Sequence, residues 1–193
     1  MTSTTAIPDL HLLPDYKWTL EQYHQMIAAG VLTENHRVEL LFGKIVATSP
    51  IGRSHAACVK QLNRYFHSKF GEEVTIGIQD PVTLVDDSEP EPDVSILKFR
   101  EDNYVAEHPQ GKDILLLIEV ADQTLQKDRT VKKTAYALGG VPEYWIINLV
   151  DRQVEQYLGA KATGEYDRFN IIPEAGTIES PRLGQIEVKN LLP

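Results

Sequence analysis

The chain has 193 residues and a formal net charge of −9, with 19 Lys and Arg against 28 Asp and Glu. Its 42% hydrophobic and 24% charged residues fit a globular protein with a real core. The acidic balance argues against broad, non-specific nucleic-acid binding, which needs cations to displace phosphate counterions.

No apolar run approaches the ~20 residues of a membrane span, so no membrane association is expected. Cys58 is the only cysteine. It excludes an intramolecular disulfide and fits a cytoplasmic setting, and no Cys/His cluster offers a structural zinc site. The opening MTSTTAIPDLHLLPDY has no basic stretch leading into an apolar one. It reads as a loose, Pro-punctuated arm over residues 1–18 rather than as a signal peptide.

Thr19 to Ala29 places Leu20, Tyr23, Met26 and Ile27 on one side of a short helix ending at Gly30. RVELLFGKIVA at 37–47 reads as a strand pair bent at Gly43. Ser54 can cap the next helix, His55 to Phe70, which has Cys58, Leu62, Tyr65 and Phe66 at helical spacing. Three β-like segments follow at 74–78, 81–85 and 93–97, with the acidic turn DDSEPEP at 86–92 between the last two.

ILLLIEV at 114–120 is the most apolar run in the chain. A strand apolar on both faces belongs in the centre of a covered sheet. A helix from about Lys127 to Leu138 is stopped by Gly139, Gly140 and Pro142, and YWIINL at 144–149 is a second buried strand. Shorter strands are expected at 154–158, 166–172 and 186–188. The order predicts a right-handed crossover and a mixed α/β sheet. One domain is expected over residues 19–193.

Glu119, near the end of ILLLIEV, would suffer desolvation unless paired or metal-bound. Asp93 opens the neighbouring predicted strand, so adjacent strands would bring both carboxylates to one edge. Hard oxygens of this kind suit Mg²⁺ or Mn²⁺, with waters completing the shell. Lys132 lies on the helix that packs back beside this strand, four residues after Asp128 and on its face. Its ammonium could hold a nucleophilic water or stabilise charge developing on phosphorus. Residues 126–133 hold Lys127, Arg129, Lys132 and Lys133 against one acid, Asp128, a basic patch that a substrate anion could use. Tyr136, Tyr144 and Trp145 read as core or interface aromatics rather than base-stacking platforms. His55 reads as a capping or surface histidine, and Gln79 as a candidate for the cleft wall.

The stretches EPEPDVSIL, LLLIEVADQTLQKDRTVKKTAYALGG and GVPEYWIIN resemble the "putative restriction endonuclease" family of the PD-(D/E)XK nuclease superfamily. The similarity runs from RVELLFGKIVATSPIGRSHAACV to the final strands. The resemblance implies a restriction-endonuclease-like core with additional C-terminal strands and a Mg²⁺- or Mn²⁺-dependent endonuclease acting on DNA. It implies Asp93 and Glu119 as metal ligands, Lys132 as the catalytic lysine and Glu39 as a further acid of the site. Ala121 stands where the superfamily places its lysine, two residues after the second acid, and Phe42 where the family often has an acid. The resemblance then moves the lysine to the helix, at Lys132 or alternatively Lys133. A catalytically silent binding module that kept the fold, and a homo-oligomer (a homodimer, for instance) using the GVPEYWIIN edge or the C-terminal strands, are the competing expectations.

Overall fold

The computed structural model describes residues 14–85 and 87–193, so most of the expected N-terminal arm lies outside the described residues. Helix α1 (Leu20–Ala28) begins in a reciprocal cap: Thr19 Oγ accepts the Gln22 amide at 3.2 Å and the Gln22 side chain accepts the Thr19 amide at 3.1 Å. Strands β1 (Val38–Leu41) and β2 (Lys44–Ala47) form a hairpin. Its two turn residues, Phe42 (φ 52°) and Gly43 (φ 73°), are both left-handed, the geometry a tight two-residue hairpin needs. The Trp18 amide donates to the Gly43 carbonyl at 2.8 Å, docking the chain before α1 on that turn.

The main sheet has six strands in the order β3–β4–β5–β6–β7–β8. They are β3 (Val74–Gly77), β4 (Val94–Lys98), β5 (Ile114–Ala121), β6 (Glu143–Asn148), β7 (Gln153–Ala160) and β8 (Tyr166–Pro173). Only β5 and β6 are parallel; the other neighbours are antiparallel. A helical run supplies the crossover between β5 and β6: α3 (Leu125–Lys127), a π turn (Asp128–Lys132) and α4 (Lys133–Leu138).

Helices cover both faces, as the two-faced hydrophobicity of β5 demands. On one face, Cys58, Leu62 and Phe66 of α2 (Arg53–Phe70) pack with Ile96, Leu116, Ile118 and Trp145. The hairpin of β9 (Thr177–Ser180) and β10 (Gly184–Glu187) adds Ile178 and Ile186 to that core. On the other face, Ala135 and Tyr136 pack with Leu117, Ala121, Tyr144 and Tyr157. The architecture is the mixed α/β sheet with flanking helices and extra C-terminal strands that the sequence predicts.

Several local expectations are corrected. Residues 81–85 do not form a strand of a sheet. Pro81 has no N–H to give, and the amides of Val82 and Leu84 instead bond Pro90 and Ser88 in a folded-back loop. Val82 and Leu84 are still buried, so the alternation reports burial and not sheet pairing. The acidic turn is largely internal: Ser88 and Glu89 are buried, and the Glu89 amide bonds the Leu40 carbonyl of β1 at 2.8 Å. Helix α2 is capped by Gly52 rather than Ser54. Strand β6 is interior and buried throughout, so GVPEYWIIN offers no free edge; the edges of the main sheet are β3 and β8. No described helix is long and apolar enough to cross a membrane.

Candidate active site

Strand register brings the two acids together. Val94 of β4 lies opposite Ile118 of β5, so the next pair outward on that antiparallel register is Asp93 and Glu119. Asp93 ends up buried at the mouth of the sheet, where Oδ2 accepts the Val120 amide at 2.8 Å. Its Oδ1 meets His55 Nε2 at 2.9 Å and accepts from Gln79 Nε2 at 3.2 Å. Gln79 is left-handed (φ 57°), a backbone strain of order ~1 kcal/mol for a residue with a side chain. It turns both its amide and its side chain toward Asp93.

Lys132 enters from the π turn. Its Nζ lies 2.8 Å from Glu119 Oε1, 3.3 Å from Glu39 Oε2 and 3.4 Å from the Glu91 carbonyl. Glu39, fully buried on β1, also binds Lys127 Nζ at 2.5 Å through Oε1, and its Oε2 accepts the Glu91 amide at 3.3 Å. A single carboxylate thus holds two lysines that lie five residues apart. On a regular helix such residues point about 140° apart. The wider π turn, with the Lys133 amide reaching back to the Asp128 carbonyl, brings them to one side.

The electrostatics follow from burial and pairing. Burial works to raise the Asp93 carboxyl, but the His55 bond and charge, the Val120 amide and Lys132 hold it below the usual carboxylate range. Asp93 in turn lifts the His55 imidazole above its ordinary value, against burial. Burial is also the largest effect on Glu39, yet Lys132 and Lys127 keep its carboxyl low. Lys132 remains an ammonium because Glu119, Glu39 and Asp128 outweigh its desolvation. Glu119 is the exception. Burial drives its carboxyl well above the usual range, Asp93 and Asp128 add to that, and Lys132 offsets only part.

These residues line one cleft of about 810 Å³, whose floor includes Glu39, Asp93, Glu119 and Lys132 and whose wall includes Ile27 and Ile51. All four residues singled out in the sequence therefore meet at one place. The expected basic patch does not survive as a free surface. Lys127 pairs with Glu39, Arg129 with Glu155, Lys132 with Glu119 and Glu39, and Lys133 with Glu165. Asp128 and Lys132 are both buried, and Asp128 accepts from Thr124 Oγ at 2.6 Å instead of forming a surface pair with Lys132.

Comparison with known proteins gives this geometry a family. The Uma2 family profile, described as "Putative restriction endonuclease", matches residues 20–189. The chain belongs to this family. A solved structure described as a "putative nuclease belonging to DUF820", from Anabaena variabilis ATCC 29413, superposes with a TM-score of 0.69. It is 15% identical, over 90% of this chain and 96% of that one, a likeness that speaks for a shared nuclease-like fold. No curated protein matches the sequence.

A divalent ion is implied by restriction-endonuclease-like folds, and free oxygen lone pairs decide whether these residues suit one. Glu119 Oε1 accepts from both Lys132 and Tyr136, while Oε2 has no hydrogen-bond donor among the described residues and its residue lines the cleft. Among the described residues Asp93 Oδ2 accepts one amide only. Among the described residues no three His, Cys, Asp or Glu side chains converge as a ready-made cage. Two carboxylates with waters filling the remaining positions is nonetheless the usual way a protein holds Mg²⁺. The donor set fits.

Two contributors escaped the sequence reading, and a third, Gln79, was expected only on the cleft wall, which it does line. Tyr136, expected as a core or interface aromatic, donates its hydroxyl to Glu119. His55 and Gln79 both engage Asp93. The spacing of four from Lys132 to Tyr136 was the available signal for the first, since it puts both on one helix face.

Proposed function

We propose that the chain is a metal-dependent endonuclease-type phosphodiesterase acting on DNA. The observation that carries this is the convergence of Asp93, Glu119 and Lys132, from three separate elements, on one cleft. Asp93 and Glu119 would hold Mg²⁺ or Mn²⁺, which when bound supplies an acidified water and charge neutralisation at the phosphate. Lys132 orients that water and stabilises charge on the phosphoryl oxygens. Glu39 fixes Lys132 from behind, and His55 and Gln79 fix Asp93. Since in-line attack tolerates little misplacement, this support is part of the chemistry. The same proposal has the protein in the cytoplasm and allows a homodimer through β8, one of the two edges of the main sheet.

Purified protein with Mg²⁺ or Mn²⁺ should nick plasmid DNA, and Asp93→Ala should abolish the nicking. Equal inertness of wild type and variant across metals would sink the proposal. One observation favours a second reading, a silent binding module. The four cations of the crossover run are all paired, three with the buried acids Glu39, Glu155 and Glu119 and Lys133 with the exposed Glu165, and Ala121 replaces the in-strand lysine. Calorimetric Mn²⁺ binding that disappears in Glu119→Ala, with no cleavage by wild type, would select that module.

A further inference from the structure

Helix α2 has a composition unlike the rest of the chain. Its 18 residues, RSHAACVKQLNRYFHSKF, hold Arg53, Lys60, Arg64 and Lys69 and no Asp or Glu, in a protein of net charge −9. At about 100° per residue, Arg53, Lys60 and Arg64 fall within an arc of about 40° around the axis. Ala57 and His67 flank them on the same side. The buried residues Cys58, Val59, Leu62 and Phe66 lie on the opposite side, packed on the sheet. The three cations are exposed. Among the described residues Arg53 and Lys60 form no ion pair, and Arg64 bonds only the neutral Gln61 amide oxygen, at 2.5 Å.

This stripe begins beside the candidate site. Gly52 and His55, at the first turn of α2, line the cleft. From Arg53 to Arg64 the stripe extends about 16 Å along the helix, long enough to meet several successive phosphates. Inside the cleft Lys127 and Lys132 are tied to Glu39 and Glu119 at the reacting position, so the phosphates on either side of it need other cations.

We propose that the solvent face of α2 binds the sugar–phosphate backbone flanking the reacting phosphodiester, through Arg53, Lys60 and Arg64. This deepens the nuclease proposal and rests on it for the identity of the polyanion. The stripe has no apolar border beyond Ala57, so it lacks the greasy face with which a surface helix enters a lipid interface. Its continuity with the cleft favours a nucleic acid over an acidic peptide bound elsewhere. It also reconciles an acidic protein with a polyanionic substrate, since local and not net charge sets the contact.

The experiment compares two triple variants that lose the same charge. One is Arg53→Gln with Lys60→Gln and Arg64→Gln; the other is Lys98→Gln with Lys112→Gln and Arg168→Gln, exposed cations elsewhere. Fluorescence anisotropy of a labelled DNA oligonucleotide, single-stranded and duplex, is read against salt with Ca²⁺ as the only divalent ion. The α2 variant should bind about tenfold or more weakly at low salt, and its log–log salt slope should shrink by about 2–3, at ~0.7–0.9 per lost phosphate contact. The control should stay within about twofold, and thermal unfolding should match wild type in both. Equal weakening in the two variants would overturn the inference, as would wild type without measurable DNA affinity. Loss of binding to phosphatidylserine vesicles with DNA affinity intact would also overturn it. Wild type that cleaves with no metal yet shows α2-dependent DNA binding would refute the catalytic proposal and leave this one standing.

Discussion

Tyr136 and Lys132 share one acceptor: both donate to Glu119 Oε1, the phenol and the ammonium arriving from one helical run onto a strand buried from both sides. The Tyr136 ring is fully buried against Tyr144, so the hydroxyl has little freedom to turn elsewhere. Together the two donors fix the carboxylate and leave Oε2 for the cleft.

Tyr136→Phe removes that hydroxyl and almost no volume. Losing a bond to a buried carboxyl group should cost about 1–3 kcal/mol, read as a shift in the urea midpoint at unchanged slope. If the carboxylate's orientation matters for turnover, kcat for plasmid nicking should fall while KM holds. A variant as stable as wild type would show that water replaces the phenol.

Lys132 and Lys127 should behave differently although both touch Glu39. Lys132 is almost wholly buried, with a side chain 6% exposed, whereas that of Lys127 is 32% exposed. Lys132→Met leaves Glu119 without its cation and Glu39 with Lys127 alone, a loss of about 3–5 kcal/mol for a broken buried pair. Lys127→Met leaves Glu39 with Lys132 and should cost nearer ~1 kcal/mol. Chemical denaturation of the two variants makes the comparison. Similar losses would mean that Glu39 relaxes toward solvent when either lysine is removed.

Glu39 gives a pH dependence. Its carboxyl titrates lower in the fold than the ordinary 4.5 of a free glutamate, because Lys132 and Lys127 outweigh burial. The folded state therefore prefers the ionised form. The stability this supplies is fully present above pH 4.5 and is lost as pH falls through the folded value. One such group changes stability by at most about 1.4 kcal/mol per pH unit. Glu39→Gln should lower stability at neutral pH and flatten the acid limb below pH 4.5, followed by urea unfolding at stepped pH. An acid limb identical in the variant would assign the dependence to other carboxylates.

Much of the sheet was legible because burial on both faces leaves a continuous apolar run, as in β5, and a parallel crossover then has one sensible hand. Asp93 and Glu119 were legible for a related reason: a carboxylate at the end of such a strand demands a partner. Other features were not. The bond from His55 to Asp93 spans 38 residues and the pairing of Lys127 with Glu39 spans 88, and no local pattern carries contacts so distant. The basic patch misled because charge counted along a helix ignores acids arriving from other elements, here Glu155 and Glu165. The π turn is invisible to helical periodicity, which assumes 3.6 residues per turn throughout.

The π turn needs something to hold it, and Arg129 within it supplies the clearest tie. Its guanidinium grips Glu155 of β7 through two bonds, 2.8 Å from Nε and 2.5 Å from the terminal nitrogen. The Glu155 carboxylate is fully buried and accepts further from Asn148 Nδ2 at 3.3 Å and Tyr157 at 3.4 Å. Arg129→Lys keeps the charge but cannot reproduce a planar fork. A double-mutant cycle with Glu155→Gln should give a coupling of about 1–3 kcal/mol. Loosening this tie should also free the π turn, so amide hydrogen exchange over residues 128–133 should speed up in Arg129→Lys by more than the change in global stability accounts for. Exchange that tracks global stability alone would mean that the Tyr144 hydroxyl, 3.3 Å from the Asp128 carbonyl, and the Thr124 bond to Asp128 hold the turn without Arg129.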